Sequence, residues 1–190
     1  PLFDREGRLR NGWKIASFAF ALLLLGWGLG GLLGLWFPGA SMPRWLPVSW
    51  INAGLVLGLT AIFLRFEDLA LASLGLRLDW RWGRDFLLGL LGSAVLMTAI
   101  ALVALAWGGF HWQRTPGVSW GAVLAGAWMF LGVALFEEFL FRGYLFQRLV
   151  DGLGPWAALG LSALCFAWAH WGNPGMTGAT KAWATCSGAY

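Results

Sequence analysis

Two adjacent carboxylates and an arginine stand at the end of a long apolar stretch, in the sequence FEEFLFRGYLFQRL. Glu138 and Arg142 are four residues apart, so on a helix they share one face and can form an ion pair. Glu137 lies about 100° around the same helix from Glu138, and its own helix offers it no obvious partner. A carboxylate without a local partner can act as a general base toward water.

The next unusual polar residue is His170, in FAWAHWGNP, four residues after Phe166. This spacing predicts that both side chains lie on one face of a helix. The short connection 142–155 predicts that the helices of Glu137 and His170 are antiparallel neighbours.

His170 lies about 20 Å along its helix from a start near Pro155, at 1.5 Å per residue. It can therefore reach Glu137 only if the helix of Glu137 continues past Arg142, to about Leu149. The apolar residues in this stretch permit such an extension. A carboxylate next to an imidazole can hold a water and remove its proton, which generates a nucleophile for hydrolysis.

Two simpler explanations compete with a hydrolytic site. Glu138 and Arg142 can be a salt bridge at a helix end, and a single histidine can be a core residue. For either feature alone the structural explanation is favoured, but their combination in apolar segments favours function. A zinc site would have too few ligands, because a zincin places two histidines on one helical face and only His170 is nearby here. We therefore expect no cofactor and no metal.

The elements that position these residues are membrane helices. The chain has 190 residues, of which 59% are hydrophobic and only 12% charged. Five runs lack Asp, Glu, Lys and Arg, and each is near or above the roughly 20 residues that cross a bilayer: Ile15–Phe37, Trp45–Leu64, Phe86–Gln113, Thr115–Phe136 and Leu153–Thr180. The sequence predicts an all-α, polytopic transmembrane bundle of about five helices. It forms one domain over 1–190, with a motif-bearing core at about 121–174 and a cytoplasmic or interfacial loop at 65–85.

The basic residues indicate orientation rather than nucleic-acid binding. Ten of them fall in the N-terminal segment, in the 65–85 loop or after the fourth run, whereas the other loops hold only Arg44 and Arg114. The positive-inside rule therefore places the N-terminal segment, the 65–85 loop and the 142–152 loop in the cytoplasm. We expect an integral protein of a bacterial plasma membrane with its N-terminus in the cytoplasm, in contact with the lipid bilayer and not with nucleic acid.

Glu137-Glu138-x-x-x-Arg142, followed by Phe166-x-x-x-His170, resembles the CAAX-protease and bacteriocin-processing family of intramembrane endopeptidases, also called the Abi family. The resemblance is clearest over about Phe130–Pro174, where order, spacing and placement in helices agree. It implies that Glu137 is the general base, that His170 holds the attacking water, and that Glu138 and Arg142 support them. Phe166 and Asn173 are candidate substrate-binding residues.

The resemblance implies an endopeptidase in which glutamate activates water to cleave a membrane-associated, prenylated or other peptide substrate. Family members continue through further helices with another histidine and an asparagine, similar to an oxyanion-stabilising pair. The sequence shows neither after Asn173, so these C-terminal helices are expected to be missing, which leaves two expectations open: an endopeptidase that is active as it stands, or one that is inactive because it is truncated. The alternative is a non-catalytic membrane protein of the same family, for immunity or peptide binding. A proton-relaying transporter is a weaker third hypothesis.

Overall fold

Helices account for the regular structure of the chain. A computed structural model describes residues 2–4, 6–36, 48–109, 111, 117–173, 176–178 and 181. The helices are α1 (Asn11–Trp36), α2 (Val48–Arg65), α3 (Trp80–Ala106), α4 (Trp120–Arg142), α5 (Tyr144–Leu153) and α6 (Pro155–Ala169), with a 3₁₀ turn at Leu71–Leu74. Within the described residues the β-structure is one isolated bridge between Phe3 and Leu9. The all-α prediction is confirmed.

Four segments are long and apolar enough to cross a membrane: α1, α2, α3 and the stretch Trp120–Leu153, in which α4 and α5 follow one another. The chain is therefore an integral membrane protein. The fifth predicted helix is present as α6, but it has only 15 residues. Its apolar run continues to Thr180, whereas the helix ends at Ala169. Arg44 and Arg114 lie outside the described residues.

The chain divides into two compact units. One consists of Pro1–Ala70 with Ala127–Tyr190, and the other of Leu71–Gly126. The second unit contains α3, whose 27 residues are all at least partly exposed, as suits a helix surrounded by lipid. A single domain over 1–190 stays a prediction.

The predicted loop at 65–85 is shorter than its charges suggested. α2 ends at Arg65 and α3 already begins at Trp80, so Arg81 and Arg84 lie in the first turns of α3. The carboxylate of Asp79 caps this helix by accepting a hydrogen bond of 2.9 Å from the backbone N–H of Trp82. An N-cap of this kind satisfies one of the free N–H groups at a helix start.

The first unit is held together by α5, which packs against both α1 and α6. Its core is aromatic: Tyr144 stacks on Phe18 with ring centroids 5.0 Å apart, and Phe63 meets both rings edge-on. Tyr144 and Phe18 are at most 1% exposed. At the other end of α2, the indole N–H of Trp50 donates to the Trp128 carbonyl over 3.0 Å, which links α2 to α4. These contacts fix the helices that carry the predicted site.

Candidate active site

A break at Gly143 separates α4 from α5. The backbone there has φ −81° and ψ −133°, outside the helical region. A Cβ atom on this residue would lie 2.2 Å from the carbonyl oxygen of Phe139, so only glycine fits without a shift of the backbone. The predicted continuation of the helix past Arg142 is therefore present, to Leu153, but as a second helix that begins after the break at Gly143.

The turn between α5 and α6 brings the chain back to the level of Glu137. Gly154 adopts φ 83°, which favours glycine, and Pro155 starts α6 at a position where its missing N–H costs nothing. From Glu137 to Leu153 the chain rises by about 24 Å, and from Pro155 to His170 by about 22 Å, at 1.5 Å per residue. The two arms of this hairpin match in length, so their far ends meet.

Glu137 and His170 face each other, as the sequence predicted. The Nε2 atom of His170 lies 3.6 Å from Oε1 of Glu137, and both side chains are about one-third exposed. His170 is the C-cap of α6, one residue past the helix, and keeps a near-helical backbone. Its Nδ1 lies 2.8 Å from the carbonyl oxygen of Phe166.

The hydrogen bond to Phe166 determines the tautomer of the imidazole. A carbonyl oxygen can only accept, so Nδ1 must carry the proton. In the neutral ring, Nε2 is then a lone pair that points toward a carboxylate oxygen, and neither atom can donate to the other. Two acceptors 3.6 Å apart can instead share one water that donates a hydrogen to each. Such a water would keep its own lone pairs free.

Glu138 and Arg142 form the predicted ion pair. Both side chains are more than half exposed, at 54% and 59%. Exposed pairs of this kind add little to stability. The pair therefore contributes little to the stability of the fold.

A cavity of about 410 Å³ opens beside Glu137, between α4, α5 and α6. This volume is within the range of small-ligand sites. Its lining combines charged, polar and apolar side chains: Glu137, Glu138, Phe141, Arg142, Phe146, Gln147, Leu159, Ser162, Ala163 and Phe166.

The two candidate substrate-binding residues have different surroundings. Phe166 lines the cavity, contacts the Phe141 ring edge-on at 5.1 Å and lies 4.3 Å from the imidazole of His170. Asn173 is exposed and is not among the lining residues; its backbone N–H donates to the carbonyl of His170 over 3.0 Å. The position of Phe166 suits contact with a bound peptide, whereas Asn173 supports the turn that follows His170.

No metal centre is evident within the described part of the chain, where no three His, Cys, Asp or Glu side chains come together. The absence of a cofactor stays a prediction.

A second polar cluster, around Glu67, was missed by the sequence analysis. Its carboxylate accepts from Lys14 over 2.5 Å, from the hydroxyl of Tyr144 over 2.5 Å and from Arg148 over 2.9 Å. Arg148 also reaches Asp151 at 3.1 Å. The available signal was the spacing of Tyr144, Arg148 and Asp151, which puts a polar stripe on one face of α5.

The cluster connects three segments: the start of α1, the residues just after α2, and α5. These are the three segments that the distribution of basic residues places on one side of the membrane, and their contact supports that grouping. A cavity of about 1310 Å³ opens over the cluster, with Arg8, Arg10 and Asp68 also in its wall. Which side of the membrane it faces stays a prediction.

The environment of Glu67 lowers the pKa of its carboxyl below the usual value of 4.5. Burial alone would raise this pKa, but the hydrogen bonds from Lys14 and Tyr144 and the charges of Arg148 and Lys14 outweigh burial. The ionised carboxylate therefore stabilises the fold at neutral pH. That contribution is complete above the unfolded-state pKa and disappears as the pH falls through the folded-state pKa.

We expect Glu67→Gln to lower the free energy of unfolding at pH 7 by about 1.5–3 kcal/mol, the usual worth of hydrogen bonds to a charged group. Thermal unfolding in detergent would measure this as a lower Tm. Since the wild-type protein loses the same contribution in acid, the difference in Tm between the two proteins should shrink below about pH 4.5. Glu6→Gln is the matched control, because Glu6 is 69% exposed. A difference in Tm that is independent of pH would contradict this account.

Comparison with known proteins agrees with the two motifs. Residues 119–189 match the family described as Rce1-like, type II CAAX prenyl endopeptidase Rce1-like. The matched segment contains Glu137, Glu138, Arg142 and His170, and covers less than half of the chain. The resemblance to CAAX proteases is confirmed over this segment. No curated protein and no solved structure matches the chain.

Proposed function

We propose, from the family match over residues 119–189 and the arrangement of Glu137 and His170, that the protein is an intramembrane endopeptidase of the glutamate type. The description of the matched family names prenyl endopeptidases, so the proposed substrate is a prenylated peptide with a CAAX end. The protein would sit in a bacterial plasma membrane with its N-terminus in the cytoplasm.

The observation that carries the proposal is the 3.6 Å separation of two acceptor atoms, Nε2 of His170 and Oε1 of Glu137. A water shared by them would be oriented by both, and Glu137 would take its proton as the oxygen attacks the carbonyl carbon of the peptide bond. The carboxyl group then returns this proton to the amide nitrogen, and the carbon–nitrogen bond breaks. The products are a new amine and a new carboxylic acid, which passes its remaining proton to the amine or to solvent, and Glu137 is ready for another cycle.

The other site residues support this step. The hydrogen bond from Nδ1 to the Phe166 carbonyl keeps Nε2 available to the water. Arg142 is paired with Glu138 rather than with Glu137.

The proposal predicts cleavage of a synthetic peptide that ends in an S-farnesylated cysteine, two aliphatic residues and a terminal residue. The full-length protein would be incubated with this peptide in lipid vesicles, and the products analysed by mass spectrometry. We expect release of the residues that follow the farnesylated cysteine. The same peptide without the farnesyl group is the matched control for the substrate class. Binding of the farnesylated peptide without cleavage would instead support the non-catalytic immunity or peptide-binding protein.

A further inference from the structure

Gln147 lines the same cavity as Glu137 but belongs to α5. Different faces of α5 contact different neighbours. Tyr144 and Arg148 reach Glu67, while Gln147 contributes to the cavity wall. Within the described part of the chain, the side-chain amide of Gln147 has no hydrogen bond, while its backbone N–H donates to the carbonyl of Gly143 over 3.3 Å.

The other polar groups of the cavity wall are charged or already bonded. The hydroxyl of Ser162 donates to the Phe141 carbonyl over 3.1 Å, and Arg142, which has donors beyond the one paired with Glu138, is a cation. An ionised carboxylate only accepts, so Glu137 offers a bound peptide no hydrogen bond until it has taken the proton of the water. The remaining lining residues are apolar. Among the lining residues, Gln147 is therefore the neutral side chain whose donors and acceptor are uncommitted.

We propose that the side-chain amide of Gln147 hydrogen-bonds a main-chain peptide group of the substrate, next to the bond that is attacked. This inference rests on the proposed protease function and adds a substrate-binding residue to it. A carboxamide presents an N–H₂ donor and a carbonyl acceptor, which is the complement of a peptide N–H and C=O. Since a peptide group that enters a largely apolar cavity loses its bonds to water, an unpaired one is costly.

The position of Gln147 also fixes where the substrate runs. Glu137 approaches from α4 and Gln147 from α5, so a peptide that meets both lies along the cavity between these helices and α6. The aromatic rings of Phe141 and Phe166 are then available to the substrate side chains. Recognition through the main chain makes Gln147 a determinant of binding geometry rather than of side-chain preference.

Ester substitution in the substrate tests this contact without altering the fold. A series of farnesylated peptides, each with one amide near the cleavage site replaced by an ester, would be compared with the all-amide peptide in lipid vesicles. An ester lacks the N–H and is a poorer acceptor. We expect one ester to lower kcat/KM of the wild-type protein by about tenfold, the usual effect of one neutral hydrogen bond. In Gln147→Met the same ester should bring no further loss.

Leu159→Met is the matched control, because it changes an apolar wall residue and should keep the full effect of the ester. An equal ester effect in the wild type and in Gln147→Met would show that Gln147 has only a structural role. If no ester affects the wild-type protein, the proposed contact does not exist, whatever the variants do. If the wild type leaves the all-amide peptide intact, the protease function itself is overturned, and the role of Gln147 with it.

Discussion

Glu137→Gln is expected to lower kcat for peptide cleavage by about 10²–10⁴-fold, the usual contribution of general acid–base catalysis. The amide keeps the size of the carboxylate and fits the same place beside His170. It cannot remove a proton from water, so the nucleophile is not formed. Initial rates with the farnesylated peptide at saturating concentration would measure the loss.

Glu138→Gln is the matched control for this loss, because it removes the neighbouring carboxylate. Its ion pair with Arg142 is more than half exposed, and exposed pairs contribute about 0–1 kcal/mol. Glu138→Gln should therefore fold as the wild type does, and because the carboxylate that faces His170 belongs to Glu137, we expect a much smaller loss of kcat than in Glu137→Gln. A loss in Glu138→Gln as large as that in Glu137→Gln would contradict the assignment of Glu137 as the general base.

The second large effect is expected from Gly143→Ala. The added Cβ would lie 2.2 Å from the carbonyl oxygen of Phe139, a distance that forces the backbone of α4 and α5 apart. Because α6 is attached to α5, the displacement moves His170 away from Glu137. A misplacement of about 1 Å can cost about 100-fold in rate. We expect kcat/KM to fall by about that factor and the Tm to fall as well, both measured on protein in detergent or vesicles.

Gly160→Ala is the matched control for the glycine effect. Gly160 lies in α6, and a Cβ atom there would have nothing within 4 Å. Alanine is favoured over glycine within a helix by roughly 0.5–1 kcal/mol, so this variant should keep its activity and have an equal or higher Tm. If Gly143→Ala behaves like Gly160→Ala, the break between α4 and α5 does not set the geometry of the site.

The sequence could predict much of the fold because membrane helices depend on local composition. Runs without charged residues predicted the long membrane spans, and the four-residue spacing of Glu138 and Arg142 predicted their ion pair. The meeting of Glu137 and His170 followed from the lengths of two antiparallel arms, which depend only on the rise per residue. The catalytic roles of these residues stay predictions.

The remainder could not be predicted, because it depends on contacts that are distant in sequence or on backbone detail. Glu67 binds Lys14 and Arg148, which are 53 and 81 residues away, and no local pattern shows such pairs. A glycine at 143 suggested no break, since transmembrane helices tolerate glycine. The end of α6 at Ala169 was hidden because its apolar run continues.

The most direct test of the central claim compares binding and cleavage of the farnesylated peptide by Glu137→Gln and by wild type in the same vesicles. If Glu137 activates the attacking water, the variant binds the peptide with an unchanged Kd and leaves it intact, while the wild type cleaves it. Cleavage by the variant at the rate of the wild type would contradict the assignment of Glu137 as the base.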